Sequence, residues 1–381
     1  MATMTKVEFY RHAVTEEDIE EVAEVLRTVF LTTGPKSAAF EAAFAEYLGV
    51  SHAVTVSSCT SALFLSLHAL GIGPGDEVIT TPMTFIATSN TVLHLGATPV
   101  FVDVEPDTGN LDVRNIEAAI TPRTKAIVPV HLYGAMTDMR AISDLARAKG
   151  LHVVEDAAHA VEPVRDGLRP GQAGHCACFS FYATKNLTCG EGGAIATNDG
   201  ELADRLRRLR SHGMSKSAAD RYTGQYQHWD MLDLGYKANL PDILAALLVK
   251  QLPRLEGQLT QREAIAQRYE AAFREIPGLH FPAVSTGSRS ARHLFTIWVP
   301  ATHRDSTLAF LQNRGIGVAV NYRAVHLLEY YRERFGYRRG MFPVAEEIGD
   351  RTITLPLYPA MNDSAVQAVI DAVRDAAQHW G

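Results

Sequence analysis

Residues 179–194 read FSFYATKNLTCGEGGA and combine an aromatic, apolar run, one lysine and a cluster of glycines. The run FSFYA (179–183) predicts a strand and GAIATND (193–199) predicts a second, so Lys185 lies in the turn between them. Most lysines in turns are solvated surface charges. A lysine held in a closed pocket instead has a lowered pKa, and its amine can form a Schiff base with a carbonyl group. The remainder of the chain decides which of the two applies to Lys185.

The stretch from residue 51 to residue 199 alternates short β-branched runs with amphipathic segments. We predict strands at 52–56, 77–80, 98–104, 125–134 and 152–158, and helices at 60–70, 84–95, 113–120 and 138–149. The runs are apolar on both faces, which is typical of parallel strands covered by helices. With the two strands around Lys185, this pattern predicts an α/β fold class and a large domain built on a mainly parallel, seven-stranded sheet.

The pattern changes in the last third of the chain. It comprises a long helical stretch at 242–273 broken near Pro253, the apolar run HLFTIWV at 293–299, a helix at 305–313 and a final helix at 363–379. These segments predict a smaller C-terminal α+β domain. We place the N-terminal segment and large domain at 1–250 and the smaller domain at 251–381.

The composition of the 381-residue chain restricts the class of protein. Hydrophobic residues make up 46% and charged residues 21%, so a packed core is expected and global disorder is not. The formal net charge of −7 argues against a nucleic-acid partner. The N-terminal residues contain no apolar signal segment and no apolar run is long enough to span a bilayer, so we expect a cytoplasmic protein without a membrane partner.

Four cysteines in a chain of this length do not indicate a disulfide scaffold. Cys176 and Cys178 form a C-x-C pair that lacks zinc-ribbon spacing and a second pair, so we predict reduced thiols and no metal site. Cys189 suggests sulfur chemistry and Glu191 a second acid–base group, because both share the turn of Lys185. For Cys189 we favour packing, and for Glu191 a hydrogen bond to the neighbouring backbone.

Three segments follow predicted strands, at the edge where ligands bind in open α/β sheets. VSSCTS (56–61) places hydroxyls and free backbone N–H groups at a helix start, which predicts a phosphate cradle or, more commonly, plain N-capping. VVEDAAHA (153–160) places Glu155 and Asp156 after an apolar strand, with His159 three residues further on. A buried acid needs a cationic or hydrogen-bonding partner. The turn of Lys185 is the third segment.

Together the three segments predict one ligand more specifically than any of them does alone. A cradle for a phosphate, an acid for a ring nitrogen and an amine for an aldehyde are the three handles that pyridoxal 5′-phosphate requires. Phe85, in TPMTFIAT, lies at another strand-to-helix junction and could stack on a flat cofactor. A core position on the helix explains Phe85 equally well when it is considered alone.

The sequence resembles the DegT-type (DegT/StrS) sugar aminotransferases. The resemblance covers nearly the whole chain and is carried by VSSCTSAL, GDEVITTPMTFIAT, VVEDAAHA, FSFYATKNLTCGEGGAIATND, LGYKANLPDI and YRAVHLLEYYRERFGY. It implies the aspartate-aminotransferase fold (PLP fold type I) and pyridoxal 5′-phosphate as cofactor, with pyridoxamine 5′-phosphate as the intermediate form. Some family members carry histidine in place of the lysine and act as dehydratases, and Lys185 argues against that branch here.

The resemblance also implies roles for individual residues. Lys185 would form the Schiff base with the cofactor and then move the proton, and Asp156 would keep the ring nitrogen protonated. His159 would lie against the cofactor near its phenolic oxygen, and Phe85 would stack on the ring. The phosphate would be bound by Thr60, Ser61 and Ser180 and, across a homodimer with shared active sites, by Asn239 of the partner subunit. Tyr322, Arg323 and His326, in NYRAVH, match a segment that lines the substrate pocket in relatives.

Within the family, the KNLTCGEGG form is similar to enzymes that aminate C4 of a UDP-linked 4-keto sugar, such as UDP-4-amino-4-deoxy-L-arabinose aminotransferase. The implied reaction transfers an amino group from L-glutamate to the C4 keto group of a nucleotide-linked sugar, with UDP as the nucleotide. The alternatives are amination of a cyclitol ketone (an inosose) with glutamine as donor and C3 amination of a dTDP-keto sugar. The variable segments 215–230 and 285–291 leave the sugar and the nucleotide open.

Overall fold

The fold is that of a computed structural model in which residues 6–216 and 228–380 are described. Most of the variable segment 215–230 therefore lies outside the described residues. The N-terminal part contains eight strands: β1 His52–Val56, β2 Glu77–Thr80, β3 Thr98–Phe101, β4 Thr124–Ile127, β5 His152–Asp156, β6 Val164–Arg165, β7 Cys176–Ser180 and β8 Gly193–Thr197. Its helices are α1 Glu16–Leu26, α2 Pro35–Leu48, α3 Cys59–Ala69, α4 Ala87–His94, α5 Met139–Lys149, α6 Gly200–Leu209 and α7 Asp242–Gln251.

Seven of these strands form one sheet in the order β1-β8-β7-β5-β4-β2-β3. Strand β8 is antiparallel to both of its neighbours, and the other pairings are parallel. The predicted α/β fold with a mainly parallel, seven-stranded sheet is thus confirmed. Because parallel strands share one carboxyl edge, the segments that follow β1, β2 and β5 meet there.

Helices cover both faces of the sheet, and strand β7 shows how the residues alternate between the faces. Cys176 and Cys178 pack in a core cluster with residues of α3 and α6. Ala177 and Phe179 pack in a second cluster with residues of α2 and α7. Since successive side chains of a strand point to opposite faces, an uninterrupted apolar strand implies three layers. The turn that carries Lys185 leaves this fully buried strand.

The sheet-covering helices begin and end at residues that satisfy their terminal backbone groups. At the start of α5, the Asp138 side chain accepts a hydrogen bond from the Ala141 backbone N–H at 3.0 Å. The helix ends at Gly150, whose φ of 67° is the left-handed conformation that glycine adopts without a steric penalty. At the start of α3, Ser58 accepts from the Ser61 N–H in the same way.

Two predicted elements are wrong in detail. The helix predicted at 113–120 is a pair of 3₁₀ turns, Val113–Asn115 and Glu117–Ala119, because the Asp112 side chain bonds the Arg114 N–H and competes with a regular helix. The strand predicted at 125–134 ends at Ile127. Pro129, which lacks a backbone N–H, follows shortly after.

The strand predicted at 179–183 is displaced by three residues. Strand β7 begins at Cys176 and ends at Ser180, so Tyr182 and the residues after it already belong to the turn. The predicted break near Pro253 is confirmed, since a 3₁₀ turn at Leu252–Arg254 separates α7 from the next helix. Helices α1, α2 and α6 were not predicted.

The C-terminal part consists of helices α8 Leu255–Phe273, α9 Arg304–Asn313, α10 Glu329–Phe335, α11 Pro343–Arg351 and α12 Asp363–Ala377, and strands β9 Ser288–Arg289, β10 Phe295–Trp298 and β11 Thr352–Leu355. Strands β10 and β11 pair antiparallel. Helix α8 packs Leu255 in the core of the large sheet, whereas its Tyr269 and Phe273 pack in the C-terminal core. The boundary between residues 250 and 251 stays a prediction.

The C-terminal part is tied to the large sheet by Asp103, which lies two residues beyond β3. Its carboxylate accepts hydrogen bonds from the backbone N–H groups of Val344 at 3.0 Å and Ala345 at 2.9 Å, in the first turn of α11. An acidic group at this end of a helix also interacts favourably with the helix dipole. No helix within residues 6–216 and 228–380 combines the length and apolarity needed to cross a membrane.

Candidate active site

Of the two adjacent carboxylates at the end of β5, Glu155 is an internal structural group. It is fully buried, and its Oε1 accepts hydrogen bonds from the backbone N–H groups of Gly171 and Gly174, each at 3.1 Å. Its Oε2 lies 2.8 Å from Nε2 of His131. All of these partners are groups of the protein itself, so Glu155 stabilises the end of β5. Asp156 is then the carboxylate that is available to a ligand.

Asp156 points to the carboxyl edge of the sheet and is buried with few partners. The Thr88 hydroxyl donates to Oδ2 at 2.7 Å, and the Ala158 backbone N–H donates to Oδ1 at 3.1 Å. Burial raises the pKa of Asp156, although these hydrogen bonds and the nearby positive charge of Lys185 oppose the shift. A carboxylate in this situation is stabilised by a further cationic or N–H donor group.

Lys185 lies in the turn between β7 and β8, and its backbone N–H donates to the Tyr182 carbonyl at 2.9 Å. Burial lowers the pKa of Lys185 to about 8, while the charge of Asp156 acts in the opposite direction. The amine is therefore neutral in a much larger fraction of molecules than a solvated lysine would be. A neutral amine is both a nucleophile and a base, so this environment favours the reactive interpretation of Lys185.

A hydroxyl-rich turn between β1 and α3 lies beside this acid and amine. The Ser61 hydroxyl is 3.0 Å from the hydroxyls of both Ser57 and Ser58. A β carbon at Gly193 would lie only 2.5 Å from the Ser58 carbonyl carbon and 2.7 Å from the Cys59 nitrogen. Glycine at the start of β8 is thus required for the close approach of this turn to the strand that follows the Lys185 turn.

Three residues predicted for the phosphate lie in or beside this turn. Thr60 is exposed in the first turn of α3, and Ser61 is half-buried. Ser180 is buried at the end of β7, where its hydroxyl accepts from the Tyr182 N–H at 3.3 Å. The segment 57–61 therefore presents hydroxyls and the N-terminal end of a helix, which together suit an anion.

His159 lies between Tyr133 and Tyr322, and its hydrogen bonds determine which ring nitrogen carries the proton. The backbone N–H of Tyr133 donates to Nδ1 at 3.3 Å, and Nε2 lies 3.1 Å from the Tyr322 hydroxyl. Burial, together with the charge of Lys185, lowers the pKa of His159 well below its usual value, so the ring is neutral. Neutral His159 therefore carries its proton on Nε2 and donates it to Tyr322.

Tyr322 keeps its own hydroxyl proton when it accepts this hydrogen bond. Burial raises the pKa of Tyr322, so the phenol is protonated. Its ring is 6.0 Å from that of Phe85, which is 56% exposed. The structure thus brings together Phe85, Tyr322 and His159 beside Lys185, and it leaves the aromatic face of Phe85 uncovered.

The Lys185 turn is held by a buried polar network that the sequence did not reveal. Asn186 donates through Nδ2 to Glu162 at 3.0 Å and to the Ala291 carbonyl at 3.0 Å, while His293 Nδ1 lies 3.1 Å from its Oδ1. Glu162 in turn forms an ion pair with Arg262, and both side chains are almost fully buried. Burial raises the pKa of Glu162, and the charge of Arg262 opposes that shift.

The sequence analysis also missed two groups near Asp156, although both belong to motifs that it described. Thr88, the donor to Asp156, belongs to TPMTFIAT, where a hydroxyl one turn beyond Phe85 on a predicted helix was the available signal. Cys59, in VSSCTS, places its sulfur 4.0 Å from Asp156 Oδ1. Burial raises the pKa of Cys59 well above its usual value, so this thiol is protonated.

Cys189 is a buried thiol that donates to the Glu191 carbonyl at 3.2 Å. Burial raises its pKa to about 12, so it is not a nucleophilic thiolate, and sulfur chemistry has no support here. The other three cysteines are also free and buried.

Three predicted site residues lie further out. Asn239 donates to Thr33 at 2.8 Å within its own subunit, so its contact with a partner subunit's phosphate stays a prediction. Arg323 is exposed beside Tyr322. His326 is fully buried and bonds Glu346 at 2.9 Å, so its contacts are internal and its direct role in substrate binding stays a prediction.

The sheet has this topology and carries an acid, a histidine and a lysine at its carboxyl edge. This arrangement is typical of aminotransferases with the aspartate-aminotransferase fold. The sequence profile of the DegT/DnrJ/EryC1/StrS aminotransferase family matches residues 12–374. The chain belongs to this family, and the resemblance noted from its motifs is confirmed.

Individual relatives match over nearly their full lengths. SpsC, the spore coat polysaccharide biosynthesis protein of Bacillus subtilis, is 48% identical over 366 residues, 94% of each chain. The structure of PseC from Helicobacter pylori, an aminotransferase involved in the biosynthesis of pseudoaminic acid, is similar with a TM-score of 0.92, 31% identity, and coverage of 99% of this chain and 100% of that one. Spr1654 of Streptococcus pneumoniae, solved in a PLP form, matches with a TM-score of 0.90, 31% identity, and coverage of 98% and 99%.

Proposed function

We propose that the protein transfers an amino group from L-glutamate to the C4 keto group of a UDP-linked 4-keto sugar. Its cofactor is pyridoxal 5′-phosphate, as its family membership and the PLP form of Spr1654 support. The observation that carries the assignment is the pairing of Asp156 with Lys185, because burial shifts their two pKa values in opposite directions. Such oppositely tuned acid and amine groups mark sites of proton transfer.

The described residues fit this cofactor at each of its three handles. Asp156 is a buried carboxylate whose raised pKa reports that no cation fully balances its charge, and a protonated ring nitrogen supplies that balance. Lys185 offers a partly neutral amine. The turn 57–61 offers hydroxyls and a helix start for a phosphate, and Gly193 leaves it the space to approach the strand.

The residues that would hold the cofactor are Lys185, Asp156, Phe85, His159, Thr60, Ser61, Ser180 and, from the partner subunit, Asn239. Pyridoxal phosphate, when bound, supplies an aldehyde that accepts the amino group and a ring that accepts electrons. Lys185 would take a proton from the α carbon of the amino donor, and it would return a proton when the keto substrate is aminated. We assign this role to Lys185 because its pKa is near neutrality.

Asp156 and His159 position the reacting groups, and neither changes its protonation state during the reaction. Asp156 would hold the ring nitrogen of the cofactor, while the hydrogen bonds from Thr88 and Ala158 fix its carboxylate. His159 stays neutral and gives its Nε2 proton to Tyr322. Tyr322 would keep its own hydroxyl proton and would donate it to an oxygen of the keto substrate.

The proposal includes a homodimer with shared active sites in the cytoplasm. Large apolar side chains are exposed near the site, among them Phe85 and Tyr182. A second copy would cover them and would bring its Asn239 to the phosphate. The four free cysteines are consistent with a reducing compartment.

A spectrophotometric titration tests the proposal. We expect the absorbance of the bound cofactor to change when L-glutamate is added, and to return when a UDP-linked 4-keto sugar follows. Lys185→Ala is the matched control, in which the cycle should not complete.

The alternatives give distinct outcomes in the same titration. Return of the absorbance with a dTDP-linked 3-keto sugar would move the amination to C3. A response to glutamine and an inosose, but not to glutamate, would identify a cyclitol aminotransferase. If no amino donor changed the absorbance of the cofactor-loaded protein, the assignment as an aminotransferase acting through Lys185 would fail.

A further inference from the structure

An open groove of about 420 Å³ lies in the C-terminal part of the protein and is dominated by arginine. It is lined by Arg323, Leu327, Arg332, Tyr337, Arg338 and Arg339. The segment 323–339 that forms it carries five arginines against two glutamates, whereas the whole chain has a net charge of −7. The local field therefore opposes the overall charge of the protein.

The arginines of the groove differ in whether the protein itself neutralises them. Arg339 forms ion pairs with Asp350 at 2.7 Å and with Glu346 at 3.9 Å. Within residues 6–216 and 228–380, the side chains of Arg323, Arg332 and Arg338 form neither a hydrogen bond nor an ion pair. Three guanidinium groups at one groove therefore have no hydrogen-bond or ion-pair partner in the part of the chain that the structure describes.

The walls of the groove are held by hydrogen bonds that are partly or fully buried. Glu346 accepts hydrogen bonds from the backbone N–H groups of Gly340 at 2.9 Å and Phe342 at 3.2 Å, and His326 bonds the same carboxylate. This holds the turn that follows Arg338. The hydroxyl of Tyr337 donates to the Pro99 carbonyl at 3.3 Å, which attaches the same wall to the large sheet.

One arginine of the groove is the neighbour of a candidate site residue along the chain. Arg323 follows Tyr322, whose hydroxyl lies 3.1 Å from His159. The backbone of these residues rests on α11, where a β carbon at Gly349 would lie 3.0 Å from the Ala324 nitrogen and 3.4 Å from the Arg323 Cα. The lining of the groove therefore begins one residue after the candidate site.

We propose that this groove binds the diphosphate of the nucleotide-linked sugar substrate. The guanidinium group presents a planar fork of donors that matches phosphate oxygens, and a diphosphate carries enough negative charge to engage several such groups. In a nucleotide sugar the diphosphate is attached to the sugar ring, so it lies one ring away from the reacting carbonyl. The inference rests on the proposed function, because it names how that substrate is recognised.

Carboxylates of the amino donor are the other source of oxyanions that unpaired arginines could bind. We assign the groove to the diphosphate because its lining includes Arg323, the neighbour of Tyr322, but none of Lys185, Asp156 and His159. The donor has to bring its α carbon to Lys185. A carboxylate attached to that carbon stays near the amine, whereas a groove without the reacting residues suits a part of the substrate that does not react.

Calorimetric titration tests the assignment by direct binding. UDP, dTDP, uridine and inorganic pyrophosphate are titrated into the cofactor-loaded protein and into Arg332→Ala, Arg338→Ala and the double variant. We expect the diphosphates to bind and uridine to bind far more weakly. Each single substitution should weaken diphosphate binding about tenfold, and the double substitution about a hundredfold. Arg274→Ala is the control, since Arg274 is exposed at the end of α8 and makes no side-chain contact with described residues.

The spectral change on addition of glutamate is measured in the same variants. The assignment is supported if the double variant loses diphosphate binding and keeps that change. It is overturned if the double variant binds UDP as the wild type does, if the wild type binds neither UDP nor pyrophosphate, or if the variant loses the glutamate reaction and keeps UDP binding. A wild type that binds UDP but reacts with no amino donor would contradict the proposed reaction and leave the groove assignment standing.

Discussion

The Lys185 turn and the arginine groove at 323–339 place positive charge in opposite ways. In the Lys185 turn, burial lowers the pKa of the lysine, and the adjacent Asn186 is tied to a buried Glu162–Arg262 ion pair. In the groove, the exposed side chains of Arg323, Arg332 and Arg338 form no hydrogen bond or ion pair with the residues that the structure describes. A buried charge has to be paired or neutralised by the fold, whereas an exposed charge remains available to a ligand. The first region therefore suits the proposed proton transfer, and the second suits the proposed recognition of the substrate.

The largest expected effect is at the centre of the first region. Lys185→Ala should reduce amino transfer by about 10⁴-fold, because the general base and the nucleophile are removed together. Single-turnover absorbance measurements with glutamate provide the rate. Lys125→Ala, which removes an exposed lysine on β4, is the control. Equal rates for the two variants would refute the role of Lys185.

The network under the turn should be the next most sensitive. Glu162→Gln removes the buried partner of Arg262 without changing the size of the side chain, and the uncompensated charge should lower the free energy of unfolding by about 3–5 kcal/mol. Denaturant unfolding of the cofactor-free protein measures it. Asp144→Asn is the control, because the Asp144 side chain is 74% exposed and pairs with Arg147 at the surface. This variant should unfold at the same denaturant concentration as the wild type. Coincident transitions for both variants would show that the buried pair is not stabilising.

The ionisation of Lys185 gives a pH-dependent test of the difference between the Lys185 turn and the arginine groove. With a pKa of about 8 instead of 10.5, the neutral fraction of Lys185 at pH 7 is roughly three hundredfold larger than that of an ordinary lysine. Acetylation of Lys185 in the cofactor-free protein, followed by mass spectrometry, should therefore rise with pH and level off above about 8. Between about 8 and 10.5 the unfolded chain binds more protons than the folded one, so this group makes stability increase with pH over that range.

The reference for that measurement is acetylation of Lys125 in the same samples. Asp156→Asn removes a charge that raises the pKa of Lys185, so the midpoint should move to lower pH in that variant. A midpoint near 10.5 in the wild type, or no movement in the variant, would contradict the electrostatic description of the site.

The smallest effect is expected where the groove rests on α11. Gly349→Ala inserts a methyl group 3.0 Å from the Ala324 nitrogen, so the backbone at 322–324 has to shift by a few tenths of an ångström. We expect the reaction with the nucleotide sugar to weaken about tenfold while the glutamate reaction changes less. Gly257→Ala, in α8 with open space around it, is the matched control and should stabilise the helix by about 1 kcal/mol. Equal losses in both reactions would show that the backbone shift extends beyond the groove.

Local patterns in the sequence predicted the parts of the fold that depend on neighbouring residues. Strands β1, β2 and β5 were placed because apolar, β-branched runs stand between clear turns. The helix predicted at 113–120 is wrong, because a single side chain, Asp112, redirects the backbone hydrogen bonds. The spacing of apolar residues does not reveal a side chain that competes for backbone hydrogen bonds.

Contacts between distant residues escaped prediction for a different reason. Glu162 and Arg262 are 100 positions apart, and their ion pair exists only because α8 passes under the Lys185 turn. The motifs still identified Lys185, Asp156 and His159, since each follows a strand whose carboxyl end the sheet topology brings to one edge. The tautomer of His159 and the free proton of Tyr322 required coordinates, because they depend on the position of the Tyr133 backbone.

The cap that Asp103 places on α11 has a kinetic consequence. It connects the helix beneath residues 322–324 to the large sheet, so the wall proposed to bind the substrate is joined to the edge that carries Asp156 and Lys185. The proposed nucleotide-sugar substrate would then meet a surface that is already in its binding shape. Its association should proceed in a single concentration-dependent phase, with no slower step for closure behind it.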